Sequence, residues 1–235
     1  MSVWAARRFW TAATAVPVDG GYTVQLDARL VRTPLKAPLV LPTIALAKAV
    51  AAEWQAQEKA VNPETMPFTR TANSAIDKVR PQFAAVADML ADYGGSDLLC
   101  YRAEGPAGLV ARQAQSWDPL LDWARDDLAA PLRQATGVMH VAQPEASLAA
   151  LRHQVHAMSA FQLAAFHDLV AISGSLVLAL AVARGRITAD EAWTRSRVDE
   201  DWQISLWGED AEAAEAAARK REALLQADRF YGLCG

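Results

Sequence analysis

The fold class of this chain depends first on one stretch near its start, Thr14-Ala15-Val16-Pro17-Val18-Asp19-Gly20-Gly21-Tyr22-Thr23-Val24-Gln25-Leu26. Glycine accepts the positive φ that tight turns require, so Asp19-Gly20-Gly21 predicts a hairpin between residues 14–18 and 22–26. A second reversal at Asp27-Ala28 predicts another strand over residues 30–33. Proline limits any strand over residues 39–41 to a short one. The first quarter of the chain therefore reads as antiparallel β-structure.

Beyond Pro42 the pattern becomes helical. Thr43 is a candidate N-cap, and four residues after it, spaced by three and four, share one helix face: Ile44, Ala47, Ala51 and Trp54. Residues 62–68 read as a loop, residues 98–102 as a strand returning to the N-terminal sheet, and residues 109–128 as a long helix. The connection over residues 131–140 has room for another short strand, and from residue 145 onward the chain reads as helices.

Two features divide the C-terminal half. Thr188 and Glu191 have the capping-box spacing that starts a helix, and Gly208 ends or kinks it. The apolar residues 169–183 indicate a helix in the middle of a core. The sequence thus predicts an α+β protein, with an antiparallel β-rich domain containing one helix over residues 1–75. A larger, mainly α-helical domain follows over residues 76–235.

Composition excludes several classes of protein. The chain has 235 residues, of which 52% are hydrophobic and 21% charged, which is typical of a globular protein. A net charge of −4 disfavours a nucleic-acid surface. The apolar stretch is shorter than the roughly 20 residues of a membrane span, and the N-terminus lacks a signal-peptide pattern. Two distant cysteines, Cys100 and Cys234, favour a reducing compartment.

Motifs for catalysis are missing from the sequence. It contains neither of the common glycine-rich phosphate loops nor a G-x-S-x-G nucleophile elbow. We read Ser175 as a small residue inside an apolar helix, and the histidines as solvated or hydrogen-bonded rather than metal-binding. Four carboxylates have no spacing that singles them out for acid–base chemistry: Glu53, Asp77, Asp97 and Glu200. We therefore expect no enzyme, no cofactor and no metal.

Residues 199–212 stand apart because they combine two tryptophans with six carboxylates. Val198, Trp202 and Leu206 are four residues apart, which predicts one buried stripe. The carboxylates after Gly208 suit the first turn of a helix, where the helix dipole favours acids. Residues 199–201 fit either a structural role or a face that docks a basic partner, and the sequence leaves both open.

The chain resembles the ATP12 family, the assembly chaperones that bind the α subunit of the F1 sector of ATP synthase. The resemblance rests on short motifs in order along nearly the whole chain. They are Arg7-Arg8-Phe9-Trp10, the Leu-Asp-x-Arg-x-Val-x-Thr-Pro pattern within residues 24–34, Ala52-Glu53-Trp54, Met66-Pro67 and Thr69-Arg70-x-x-Asn73 within residues 63–73, residues 97–102, Trp117-Asp118-Pro119-Leu120-Leu121-Asp122-Trp123, and Asp201-Trp202-Gln203-x-x-x-Trp207-Gly208.

The resemblance implies a non-catalytic protein that holds the F1 α subunit and shields the surface that later meets β. Family members place an acidic residue after Trp-Gly, and Glu209, Asp210 and Glu212 compete for that position. We expect a monomer that binds neither nucleic acid nor membrane, in the bacterial cytoplasm, or in the mitochondrial matrix for a mature eukaryotic form. The candidate partner-binding residues are Glu53, Trp54, Glu200, Trp202, Trp207, Glu209, Asp210 and Glu212.

Two rival functions remain at this point. A small hydrolase or transferase with convergent carboxylates would have a deep pocket holding at least two of them with perturbed pKa values. A structural subunit of a stable complex would co-purify with it at fixed stoichiometry.

Overall fold

The computed structural model describes residues 7–137 and 139–235. The first six residues of the predicted N-terminal domain, and Val138 in the predicted connection, lie outside the described residues. The chain packs into two compact units. The first unit contains the described residues up to Phe83 together with Ser159–Ala165 and Arg229–Gly235, and the second contains Ala84–Met158 and Phe166–Asp228.

The first unit contains the predicted hairpin. Its antiparallel sheet has the order β1 (Ala13–Val18), β2 (Gly21–Leu26) and β3 (Arg29–Leu30). Gly21 permits a close approach, since a Cβ there would lie 2.4 Å from the carbonyl oxygen of Leu41. Tyr22 and Leu41 exchange backbone hydrogen bonds at 3.0 and 2.7 Å, so the predicted strand at residues 39–41 is reduced to a bridge beside β2.

Helix α1 (Ile44–Gln55) packs on β1 and β2. Thr43 is its N-cap, as predicted, and its hydroxyl accepts a hydrogen bond from the Leu46 N–H at 3.1 Å. Helix α2 (Pro67–Ser74) begins inside the stretch that we predicted to be a loop, because Pro67 suits the first turn of a helix. A π-helical turn over Ala75–Val79 and a 3₁₀ turn over Arg80–Gln82 separate α2 from α3 (Phe83–Ala91).

The second unit is largely helical. Its strands β4 (Tyr101–Arg102) and β5 (Ala135–Thr136) pair in parallel with each other. The prediction that residues 98–102 return to the N-terminal sheet is therefore wrong, and the connection over residues 131–140 does hold a strand. Residues 98–100 form a 3₁₀ turn, which leaves only two residues extended. The remaining helices of the chain are α4 (Ala107–Asp127), α5 (Glu145–His156), α6 (Ala160–Ser173), α7 (Leu176–Ala183), α8 (Ala189–Ser196), α9 (Val198–Trp207) and α10 (Ala211–Gly232). The first residues of α6 and the last residues of α10 belong to the first unit.

The apolar stretch over residues 169–183 is not one helix. Gly174, with a φ of +69°, ends α6, and Ser175 is the N-cap of α7, accepting a hydrogen bond from the Leu178 N–H at 3.0 Å. Our interpretation of Ser175 as a helix-interior residue is wrong, because its hydroxyl competes for backbone donors. Almost all of α7 is buried, as a core helix should be. None of the helices in the described ranges is long and apolar enough to span a membrane.

Asp97 connects the 3₁₀ turn to the start of α7. Its buried carboxylate accepts hydrogen bonds from the Ser175 hydroxyl at 2.7 Å, the Val177 N–H at 2.9 Å and the Leu99 N–H at 3.0 Å. Burial raises the pKa of this carboxyl group, and the surrounding donors oppose that rise. The N-terminal antiparallel sheet and the larger set of helices together confirm the α+β class.

Candidate partner-binding site

The first half of α9 is docked within the second unit. Val198 is buried, and the Trp202 ring lies against Gly108 at the start of α4, where an added Cβ would come within 2.7 Å of Trp202 Cη2. The Arg112 guanidinium covers the same ring at 5.1 Å from its centroid. Trp202 is therefore a half-buried anchor that fixes α9 on α4. No sequence pattern singles out Gly108 or Arg112, because a lone glycine or arginine at a helix start is common.

The last turn of α9 is exposed. Leu206 is 57% and Trp207 78% exposed, so the prediction that Leu206 belongs to a buried stripe is wrong. Asp199 meets Gln113 while Trp202 meets Gly108, so α9 runs toward the start of α4. One turn after Trp202, α9 has passed the end of the helix that would cover it.

Three carboxylates of the acidic segment serve the fold. Asp199 accepts a hydrogen bond from Gln113 Nε2 at 2.6 Å, and Asp201 lies 3.6 Å from Arg197 Nε. Asp210 accepts one from the Ala213 N–H at 2.8 Å and so caps α10. Since α9 begins at Val198, residues 199–201 also occupy its first turn, where the helix dipole favours acids. The fold thus accounts for the three adjacent acids more fully than the sequence suggested.

The other carboxylates point to solvent. Within the described residues, the side chains of Glu200, Glu209 and Glu212 form no hydrogen bond or ion pair. Glu200 and Trp207 are seven residues apart and share one face of α9. Gly208, with a φ of +85°, ends the helix and leads directly to Glu209. We call the exposed side chains of Glu200, Leu206, Trp207 and Glu209 the α9 face.

Glu53 and Trp54 lie in the first unit and have internal partners. The Glu53 carboxylate accepts hydrogen bonds from the Phe68 N–H, the Thr69 N–H (both 2.7 Å) and the Thr69 hydroxyl (2.6 Å), which caps the start of α2. Burial raises the pKa of Glu53, and the hydrogen bonds from these donors oppose that rise. The Trp54 ring packs edge-to-face on Trp10 with centroids 5.3 Å apart. Both residues therefore have a structural role in their own unit.

A polar depression in the second unit has its carboxylates already engaged. It is lined in part by Asp190, Glu191 and Arg195. Asp190 lies 2.7 Å from Arg221 Nη2, and Glu191 accepts hydrogen bonds from the backbone and hydroxyl of Thr188, which lower its pKa. In the part of the chain that is described, no group of three or more His, Cys, Asp or Glu side chains is arranged to hold a metal.

Comparison with known proteins gives consistent matches. The profile of the family described as ATP12 chaperone protein matches residues 7–125, just over half of the chain. The fission yeast protein atp12, mitochondrial (Schizosaccharomyces pombe) is 23% identical over 216 residues, covering 86% of this chain and 74% of the relative.

Solved bacterial structures match along the whole chain. Atp12 of Paracoccus denitrificans is 52% identical with a TM-score of 0.96, covering 99% of this chain and 100% of that one. A lysine-for-aspartate mutant of the same protein gives the same identity and TM-score over 100% of both chains. Atu1473 of Agrobacterium tumefaciens, described as a candidate chaperone, is 43% identical with a TM-score of 0.91, covering 96% of this chain and 84% of that one. On this combined likeness of sequence and fold, the chain belongs to the ATP12 chaperone family.

Proposed function

We propose that this chaperone binds the F1-ATPase α subunit through the α9 face and shields it from aggregation until it assembles with β. The observation that carries the proposal is Trp207, a large apolar side chain that is 78% exposed. It lies beside Glu209, whose carboxylate has no partner among the described residues. Tryptophan is enriched at binding hot spots, and water is a poor environment for its ring. A partner surface that covers the ring accounts for its position.

The charge of the α9 face indicates the chemistry of the partner surface. Glu200 and Glu209 bracket Trp207, so a complementary surface presents an apolar recess with basic residues at its rim. Rim charges mainly govern association rate and specificity, whereas a buried aromatic anchor governs residence time. Of the three acids after Trp207, Glu209 is our candidate for the contact, since Asp210 caps α10 and Glu212 lies in its first turn.

The proposed role involves no covalent chemistry. The two carboxylates whose pKa values burial raises, Glu53 and Asp97, are both engaged as hydrogen-bond acceptors inside their own units. The kinship with bacterial and mitochondrial proteins supports action in the bacterial cytoplasm, or in the matrix for a eukaryotic form. We further propose that the chaperone acts as a monomer.

The test is suppression of aggregation of purified α subunit, followed by light scattering. We expect Glu209→Lys and Trp207→Ala each to raise the chaperone concentration needed for half-suppression by about tenfold, the loss of ~1.4 kcal/mol of binding free energy. Glu200→Lys is paired with Glu145→Lys, since both replace an exposed acid in the first turn of a helix. Only Glu200→Lys should weaken suppression.

Two results would overturn the proposal. Unchanged suppression by Glu209→Lys and Trp207→Ala would remove the α9 face as the contact. Equal suppression of an unrelated aggregating protein by the unaltered chain would show a general holdase instead of an α-subunit chaperone.

A further inference from the structure

The two units carry opposite net charges. By sequence, the first unit has 11 Lys and Arg against 6 Asp and Glu, a net charge of +5, and the second has 12 against 21, a net charge of −9. A chain with an overall charge of only −4 therefore contains one basic unit and one strongly acidic unit. The α9 face belongs to the acidic unit, and it accounts for none of the basic charge.

Among the described residues, three cations of the first unit have no counter-ion. Within the residues that the structure describes, Arg29, Arg32 and Lys36 form no ion pair. In the second unit, by contrast, Arg102 pairs with Asp118 at 2.8 Å and Arg125 is paired as well. Two carboxylates of the same unit, Asp27 and Asp77, accept hydrogen bonds from other groups. The positive charge on this part of the first unit is thus left for an external partner.

Asp27 and Asp77 make local hydrogen bonds to the backbone. Asp27 Oδ1 accepts hydrogen bonds from the Thr11 N–H at 3.1 Å and the Ala12 N–H at 2.9 Å. These bonds lower the pKa of Asp27, so its carboxylate stays ionised and hydrogen-bonded to the two residues that precede β1. Asp77 accepts hydrogen bonds from the Thr33 hydroxyl at 2.7 Å and the Leu35 N–H at 3.2 Å. Both carboxylates therefore hold the loops that carry the cations in place.

Exposed apolar side chains lie among the three cations. Phe9 is 60% exposed, packs edge-to-face on the buried Trp10, and has the Arg29 guanidinium 5.2 Å from its ring centroid. Leu30, next to Arg29, is 54% exposed, and Leu35, next to Lys36, is 72% exposed. Arg32 Nη1 donates a hydrogen bond to the Lys36 carbonyl at 2.9 Å, which joins the two ends of this surface. We call it the basic patch, formed by Phe9, Arg29, Leu30, Arg32, Leu35 and Lys36.

We propose that the basic patch binds an acidic segment of the client chain, one that alternates carboxylates with apolar side chains. A guanidinium lying over an aromatic ring keeps its N–H groups available for a carboxylate, and Arg binds carboxylates in a bidentate fashion. The exposed Phe9, Leu30 and Leu35 supply apolar contacts between the charges. The inference rests on the proposed chaperone function, since the client is the same. It adds a second contact of opposite sign to that of the α9 face.

The experiment uses the full chain and a fluorescein-labelled peptide of alternating Glu and Leu, with a Lys/Leu peptide of equal length for comparison. We expect the Glu/Leu peptide to bind and the Arg29→Glu/Arg32→Glu variant to bind it at least tenfold more weakly. Lys48→Glu/Lys59→Glu is the matched control, because it makes the same charge change at exposed positions of the same unit. Its affinity should stay within twofold of the unaltered chain. Circular dichroism establishes that both variants are folded.

A second variant tests the apolar component. Leu30→Ser should weaken binding of the Glu/Leu peptide but leave the weaker binding of a Glu/Ser peptide unchanged. Three results would overturn the basic patch. They are equal affinity of all variants for the Glu/Leu peptide, an equal loss of affinity in the Lys48→Glu/Lys59→Glu control, and tighter binding of the Lys/Leu peptide by the unaltered chain.

Further measurements separate this inference from the proposed function. If Arg29→Glu/Arg32→Glu protects α subunit as well as the unaltered chain does, the basic patch is wrong while the α9 face stands. If neither the unaltered chain nor any variant protects α subunit, but Arg29→Glu/Arg32→Glu still loses affinity for the Glu/Leu peptide, the chaperone assignment fails while the patch stands as a surface for acidic peptides. Self-association that Arg29→Glu/Arg32→Glu abolishes would assign the patch to a second copy of the chain. Tighter binding to phosphatidylserine vesicles than to the peptide would assign it to a membrane. Either result would overturn the proposal.

Discussion

Two glutamates of this chain show how one residue type serves structure in one place and recognition in another. Glu53 accepts three hydrogen bonds at the start of α2, whereas Glu209 has no side-chain partner within the described residues. The sequence does not reveal this difference, because Glu53 precedes a tryptophan and Glu209 follows a Trp-Gly pair.

Glu53→Ala removes the cap of α2. Because the N–H groups of Phe68 and Thr69 then lose their acceptor, we expect the free energy of unfolding to fall by about 1–2 kcal/mol, measured by urea denaturation. Glu58→Ala, at an exposed position just after α1, should change it by less than about 0.5 kcal/mol. At temperatures where both variants are folded, their affinity for α subunit should stay within twofold of that of the unaltered chain. A large loss of binding without a loss of stability would instead make Glu53 a contact residue.

We expect the two tryptophans of α9, Trp202 and Trp207, to contribute differently to stability, because only the Trp202 ring is packed. Trp202→Ala empties the half-buried position against Gly108 and should cost about 2 kcal/mol of stability, roughly half the value for a fully buried tryptophan. Trp207→Ala should cost less than about 0.5 kcal/mol, since its ring is 78% exposed. Thermal and urea unfolding of the two variants give the comparison. Equal destabilisation would show that Trp207 is packed in solution.

At the scale of elements, helix starts are set by local side chains. Thr188 and Glu191 form the predicted capping box of α8, with reciprocal hydrogen bonds of 3.1 and 2.8 Å. Thr43 and Ser175 cap α1 and α7 through one bond each, in which the hydroxyl accepts from the N–H three residues later. The caps at Thr43 and Thr188 were readable in sequence because donor and acceptor are three residues apart, whereas Ser175 was missed because apolar residues flank it on both sides.

Because of the capping box of α8, the stability of the fold should depend on pH. Hydrogen bonds from Thr188 hold the pKa of Glu191 below its unfolded value of 4.5, so its ionisation stabilises the fold above that pH. This contribution is lost as pH falls through the lowered pKa. Glu191→Gln should therefore be less stable than the parent at pH 6, with the difference shrinking as pH falls below 4.5. A difference that is constant over this range would contradict the assignment.

The hairpin offers a matched pair of glycines. Gly20 has a φ of +79° and open space around its Cα, so Gly20→Ala should cost about 1–2 kcal/mol for the left-handed backbone alone. Gly21→Ala also drives a methyl group to 2.4 Å from the Leu41 carbonyl oxygen and should cost clearly more. Urea denaturation of both variants tests the order. The reverse order would mean that the bridge between Tyr22 and Leu41 gives way without cost.

At the scale of the whole molecule, the dominant property is the separation of charge between a basic and an acidic unit. Charged surfaces accelerate encounter with complementary partners, and salt screens that effect over about 10 Å at 0.1 M. A chaperone that must reach its client before the client aggregates benefits from such steering.

We therefore expect the association rate with α subunit to fall about tenfold or more between 50 and 500 mM NaCl, measured by stopped-flow fluorescence. The Glu200→Lys/Glu209→Lys variant should show a smaller dependence on salt, because the steering charges on the α9 face are reversed. Dissociation rates should change little with salt, since Trp207 governs them. A rate that salt does not affect would exclude electrostatic steering.

The sequence by itself determined the features that depend on neighbours along the chain. The hairpin at Gly20-Gly21, the caps at Thr43 and Thr188 and the α+β class all follow from backbone geometry or from hydrogen bonds within a few residues. Gly208 ends a helix as predicted, but the single helix predicted between Thr188 and Gly208 is divided at Arg197 into α8 and α9. The ordered motifs also pointed to the ATP12 family, which the comparisons confirm.

Only the tertiary structure decided which side chains are covered and which remain free. Leu206 fits a buried stripe by spacing, yet it is exposed because α4 begins at Ala107 and leaves the last turn of α9 uncovered. Residues 98–102 have strand character, yet β4 pairs with β5 because the strand partner is chosen by long-range packing. Coverage and pairing depend on residues distant in sequence, whereas the patterns that can be read from sequence are local.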